Sequence, residues 1–111
     1  MRVVDVATSL RTGRLSTDCL VEYLKVQHLG PTSIHHLIDG KTRLVWRVDD
    51  DADRYVELVD SINTGQVVML MRDGWESHSR VMAAPEVVAS QLRQYLRMLG
   101  AKFGTGGEGV T

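Results

Sequence analysis

Apolar and polar positions along the chain switch between two periods. Val3, Val6, Ala7 and Leu10 fall at i, i+3, i+4 and i+7, the spacing of one face of a short helix over residues 3–11, although Val3 and Val4 also permit a strand. Gly13 breaks this segment. Helical spacing resumes with Leu20, Tyr23, Leu24 and Val26 and runs to about His28. Ser16 or Thr17 can cap this helix by accepting an orphan backbone N–H, and Asp18 suits the positive end of its dipole. Leu29-Gly30-Pro31 ends it, with Gly at the C′ turn and Pro unable to continue. The period then drops to two. Strands are predicted over 32–38 and 41–48, the second with Leu44, Trp46 and Val48 on one side and Lys41, Arg43 and Arg47, with Val45 among them, on the other.

Beyond residue 48 the pattern reads as a helix again. Asp49–Asp53 supplies an acidic start, Tyr55, Leu58, Val59 and Ile62 an apolar stripe, and Gly65 a stop. Gln66–Met71 is apolar on both faces and asks for cover on both sides, as a central strand or at a subunit contact. Residues 75–82 are more polar and read as an edge strand. Pro85 opens a last helix with Val88, Leu92, Tyr95, Leu96 and Leu99 on its buried side, closed by Gly100.

Asp39-Gly40 and Asp73-Gly74 each separate two strand-like runs, a strong signal for a β-hairpin because Asp and Gly tolerate the positive φ of tight turns. Each hairpin precedes a helix-patterned segment, and the units are offset by 34 residues, Gly40 against Gly74, Leu58 against Leu92 and Ile62 against Leu96. The predicted fold class is therefore α+β. N-terminal helices precede a repeated ββα unit that builds a four-stranded, mainly antiparallel sheet with its helices packed on one face. Residues 1–103 form one domain, and the Gly-rich 104–111 a flexible tail. The register of the first hairpin has two solutions. A two-residue turn pairs Ile38 with Lys41, whereas a three-residue loop with a Gly bulge pairs Leu37 with Lys41, and the choice decides which of His35 and His36 shares a face with the arginines.

Composition narrows the function classes. The 111 residues carry 13 basic and 14 acidic side chains, a net charge of −1, so general electrostatic binding to nucleic acid or membrane is not expected. A single cysteine, Cys19, excludes an internal disulfide framework and a cysteine-built metal site. No apolar run approaches the ~18 residues of a membrane span, and the start has no apolar leader pattern, which points to the cytosol.

Several residue groups invite chemistry. His35, His36 and His78 could ligate zinc only if the hairpins were neighbours, and adjacent strand residues point to opposite faces. Asp49, Asp51, Asp53 and Asp60 mimic a calcium loop, but Arg54 stands where that loop needs Gly, so capping of the following helix explains them better. Residues 17–48 could form a helix–turn–helix with a wing, yet Ile38-Asp39-Gly40-Lys41 is better hairpin chemistry. Cys19 has no base on its own helix within reach, and no Gly-rich phosphate loop, nucleophile elbow or paired-carboxylate motif occurs. No cofactor or metal is predicted.

The reading that remains is a non-enzymatic binding module, homodimeric, with a protein or small-molecule partner. Arg43, Arg47, His36, Trp46 and Trp75 are its candidate binding residues, and Val67, Met69 and Met71 its candidate dimer contacts. Trp75, directly after a turn, either anchors a partner or covers the core end. Two other classes stand beside this one: a small DNA-binding regulator built on 17–48, and a small-molecule or catalytic site between sheet and helices. The order helices, hairpin, helix, hairpin, helix is similar to that of small bacterial secretion-chaperone-like domains. That resemblance is one of topology, covers most of the chain, lends no residues, and implies a dimer that binds an extended partner.

Overall fold

The computed structural model describes residues 15–49, 53–61 and 65–100. The predicted helix over 3–11 and the tail 104–111 lie outside the described residues. Helix α1, Thr17–Val26, is followed by strands β1 (Ser33–His36), β2 (Thr42–Arg47), β3 (Arg54–Asp60), β4 (Val67–Asp73) and β5 (Glu76–Met82), and by helix α2, Pro85–Met98. The five strands pair in chain order, each antiparallel to the next.

Residues 54–60 are the main departure from the sequence reading. The Tyr55, Leu58, Val59 stripe read as a third helix is strand β3, at the centre of the sheet. The same residues satisfy a period of two. Val56 and Leu58 are fully buried, while Tyr55, Glu57 and Val59 alternate onto the other side. β-branched and aromatic residues favour a pleated surface, and pairing on both edges outweighs any isolated helical preference. The four-stranded sheet of two ββα repeats, with its helices gathered on one face, is thus replaced by a five-stranded antiparallel meander with one helix before it and one after it. The 34-residue offset marks no structural repeat. The element order behind the chaperone-like resemblance disappears with it. Asp53, the last residue of the acidic run, directly precedes strand β3 where a helix was expected to begin. Residues 32–38 contain strand β1 where a helix–turn–helix would need its second helix.

Register sorts the strands into two faces. Leu44, Leu58 and Met69 stand opposite one another across β2, β3 and β4, as do Trp46, Val56 and Met71. These side chains join Leu20 and Leu24 of α1 and Val88, Leu92, Tyr95 and Leu96 of α2 in one hydrophobic core. Trp46 donates its indole N–H to the Leu29 carbonyl at 2.8 Å, tying β2 to the chain that leaves α1. At the other end of α1, Thr17 is fully buried and its hydroxyl donates to the Thr42 carbonyl at 3.0 Å. Arg54 joins Asp49 at 2.7 Å and Asp73 at 3.2 Å, and donates to the carbonyl of Leu99 beyond α2. No helix among the described residues is long and apolar enough to cross a membrane.

The turns refine the sequence reading. In the first hairpin Leu37 N–H donates to the Lys41 carbonyl at 2.8 Å and Gly40 has φ 86°, so the loop has three residues and a Gly bulge. In the second, Asp73 pairs with Glu76, so Gly74-Trp75 form the turn, not Asp73-Gly74. Gly74 takes the positive φ, 64°. At the end of α1, His28 occupies the left-handed conformation (φ 61°) that Gly30 was expected to take. His28 N–H bonds the Lys25 carbonyl at 3.0 Å and Leu29 N–H the Leu24 carbonyl at 2.8 Å, a complete Schellman closure. Val26, read as part of the apolar stripe, is 69% exposed on the last turn.

Replacing His28 by Gly removes the penalty of a side chain at positive φ, and a gain of up to about 1 kcal/mol is expected in chemical denaturation. Leu58→Ala should cost about 2–5 kcal/mol in the same measurement, as for a fully buried leucine. A cost below about 0.5 kcal/mol would instead mark a surface position.

Candidate functional site

The face of the sheet opposite the core carries the most distinctive surface. Three cross-strand rows can be followed on it. In the first, Val59, Val68 and Val81 stand in register across β3, β4 and β5. In the second, Val45, Glu57, Leu70 and Ser79 follow one another from β2 to β5. In the third, Arg47, Tyr55 and Arg72 line up across β2, β3 and β4, with Tyr55 between the two guanidinium-bearing residues. Val59, Val68, Leu70 and Tyr55 are half-buried, and Val81 is 52% exposed. An outer sheet face is ordinarily polar, so a valine row spanning three strands is unusual there.

The charges on this face are unevenly balanced. Arg43 binds Glu57 through both Nε (2.8 Å) and Nη2 (2.6 Å), a charge-assisted pair on neighbouring strands. Arg47 and Arg72 are exposed and have no ion-pair partner among the described residues. Arg72 Nε donates to the Gly74 carbonyl at 3.2 Å, which holds the side chain along the β4–β5 turn. Three arginines against one glutamate leave the face basic. His35 joins it opposite Arg43, with its ring nitrogen 3.1 Å from Ser33 Oγ.

The predicted site residues are only partly brought together. Arg43 and Arg47 do share the outer face. His36 does not: it pairs with Thr42 and is exposed on the core side of edge strand β1, so His35 is the histidine beside the arginines. Trp46 is 4% exposed and its N–H is used inside the fold, which corrects its assignment to binding. Trp75 is fully exposed at its turn, which decides between anchor and core cover in favour of exposure. Val67, Met69 and Met71 are core residues, so the apolar strand contributes Val68 and Leu70, not those three, to its outer side. His36 and His78 lie on opposite edge strands, about 19 Å apart at the usual strand spacing, so no zinc arrangement forms from them. Tyr55, Val59 and Arg72 were missed as surface residues. Their signal was the period-two alternation inside 54–60, which the helical stripe obscured.

A second feature lies where α1 begins. Leu15, Ser16, Lys41, Asp60, Ser61, Gly65 and Gln66 line a cavity of about 210 Å3, smaller than the ~300–1,000 Å3 usual for small-molecule sites. Asp60, at the end of β3, accepts the Thr17 backbone N–H at 2.9 Å, while Ser16 Oγ accepts from Cys19 N–H at 3.4 Å. Two groups from distant parts of the chain thus share the orphan donors of one helix end. Asp18 is held nearby by the Thr42 hydroxyl at 2.9 Å. Burial pushes the Asp60 carboxyl above its ordinary value; the Thr17 N–H opposes this, Asp18 and Asp39 add to it, and Lys41 offsets part of it. Cys19 is half-buried here, with its sulfur 3.3 Å from Ser16 Oγ.

Because the folded state holds the Asp60 proton more tightly than the unfolded chain does, this group favours the fold most at low pH. Its contribution is lost as pH rises through the folded-state value, from about 4 upward. Asp60→Asn keeps an acceptor for Thr17 and removes the charge. It should flatten the stability–pH curve above about pH 4 and leave neutral-pH stability unchanged or higher, whereas Asp60→Ala should cost about 1 kcal/mol as a lost cap. A curve for Asp60→Asn parallel to that of the parent chain would contradict this assignment. No known protein family, curated protein or solved structure matches the chain.

Proposed function

We propose that this protein is a binding module whose outer sheet face receives an extended, acidic segment of another protein that also carries apolar side chains. One observation carries the reading: the Arg47–Tyr55–Arg72 row and the Val59–Val68–Val81 row share one face, with only the row of Val45, Glu57, Leu70 and Ser79 between them. The valines and Leu70 offer apolar area that releases water on contact. The arginines offer planar donors that match carboxylates, and Tyr55 gives a rigid amphipathic surface between them. The charge of the face argues against a second copy as its occupant. Face-to-face docking of like surfaces would oppose Arg47 and Arg72 with further arginines, and like charges across an interface are costly. An aliphatic row also suits a protein side chain better than a nucleic-acid base, which prefers aromatic stacking.

A synthetic peptide of alternating Glu and Leu tests this. Titrated into 15N-labelled protein, it should shift amide resonances of Tyr55, Val59, Val68 and Leu70 saturably. Raising the salt concentration should weaken binding, as should the Arg47→Glu, Arg72→Glu double variant, by roughly tenfold or more. Absence of outer-face shifts at millimolar peptide would sink the proposal. So would tighter binding of a single-stranded oligonucleotide than of the peptide.

A further inference from the structure

The two edges of the sheet differ. β1 is an edge of four residues, whereas β5 runs for seven, Glu76–Met82, and contains no proline. A long edge strand presents backbone N–H and C=O groups to any chain able to pair with it, and shortness, proline or charge that a second strand would leave unmatched is the usual protection. We propose that β5 pairs antiparallel with β5 of a second copy about a two-fold axis at His78, joining the two five-stranded sheets into one continuous sheet.

The side chains select this register. A two-fold axis perpendicular to the sheet keeps core face beside core face, so each residue meets one of its own face. Centred on His78, the pairing sets Glu76 opposite Arg80 of the second copy, and by symmetry Arg80 opposite its Glu76. Ser77 meets Ser79. At the end of the ladder Trp75 comes beside Val81, so the two exposed apolar side chains at this edge, 103% and 52% accessible, cover each other. Glu76 is exposed and has no ion-pair partner among the described residues. Arg80 Nη1 donates to Gln91 Oε1 at 2.7 Å, which fixes the guanidinium on the core side and leaves its other N–H groups for a carboxylate. The neighbouring registers lose this match. Centring on Ser79 sets Glu76 against Met82 and His78 against Arg80. Centring on Ser77 sets Arg80 against Gly74. Backbone pairing is available whichever phase of hydrogen bonding the outer edge of β5 presents, because a symmetric antiparallel pair can be of either kind. The pairing shares only Val81 with the outer-face site, and it places two outer faces side by side on one surface.

Sedimentation of the full chain from micromolar to sub-millimolar concentration tests the proposal. A reversible monomer–dimer equilibrium is expected. Glu76→Arg and Arg80→Glu should each weaken it by roughly tenfold or more, since each converts two opposite-charge pairs into two like-charge pairs. The double variant Glu76→Arg, Arg80→Glu should restore it to within a few-fold. His78→Cys, in a Cys19→Ser background, should oxidise to a disulfide-linked dimer, because symmetric pairs on adjacent strands have Cα atoms about 4.5–5.5 Å apart. Thermal melts should show every variant folded. The Arg47→Glu, Arg72→Glu variant should dimerise as the parent does, which separates this test from that of the outer face. A strict monomer at sub-millimolar concentration overturns the proposal, as does a dimer indifferent to the single reversals or a double variant no tighter than they are.

Discussion

Strand β3 is the element on which the rest of the fold depends. It pairs with β2 on one edge and β4 on the other along almost its whole length. Through Val56 and Leu58 it supplies the middle of the two core rows that both helices help to bury. Without its ladders, β1–β2 and β4–β5 would be two separate hairpins, and an isolated hairpin is marginal in water. Its ends are held as well. Arg54 ties the beginning of the strand to Asp49, Asp73 and the chain end of α2, while Asp60 ties its end to the first turn of α1. The sheet and the helices are therefore coupled through one central strand, and the burial of its inner side chains orients everything on its outer side.

That coupling explains why the outer face has the character it does. Once Val56, Leu58, Met69 and Met71 turn inward, strict alternation leaves Tyr55, Val59, Val68 and Leu70 on the other side. Val45 is nearly inaccessible there, at 2%, so its neighbours already exclude water from part of the surface. The arginines frame this area, and one of them is neutralised by Glu57 within the sheet. Apolar area beside uncompensated positive charge is a combination that folding alone does not require. It is the reason the outer face, and not the small cavity at α1, carries the functional reading.

The helix ends show how local and long-range chemistry divide the work. Ser16 caps α1 from the adjacent position, while Asp60 and Thr42 reach the same turn from the sheet. The cost of partly burying Asp60 between Asp18 and Asp39 is offset by the N–H it accepts and by Lys41. At the far end of α1, a histidine accepts the left-handed conformation because the Leu24 and Lys25 carbonyls find their donors only in that geometry.

The chain's own pattern determined those elements whose signals are local. Ser16 or Thr17 before an amphipathic run placed α1, Pro85 with an apolar stripe placed α2, and the alternation of Leu44 and Trp46 placed β2 with its core side. Both hairpins, the polar edge strand and the doubly apolar strand were legible for the same reason. What the tertiary structure alone decided was the state of residues 54–60. Tyr55, Val56, Leu58 and Val59 satisfy a helical stripe and a strand alternation at once, and only the presence of β2 and β4 on either side, each with unpaired backbone and apolar side chains in register, selects the strand. From that choice follow the five-stranded sheet and the burial of Met69 and Met71, while the register of the first hairpin placed His35 and not His36 beside the arginines. Those outcomes depend on which residues lie across a strand from one another, a relation between segments far apart in the chain that no local period encodes.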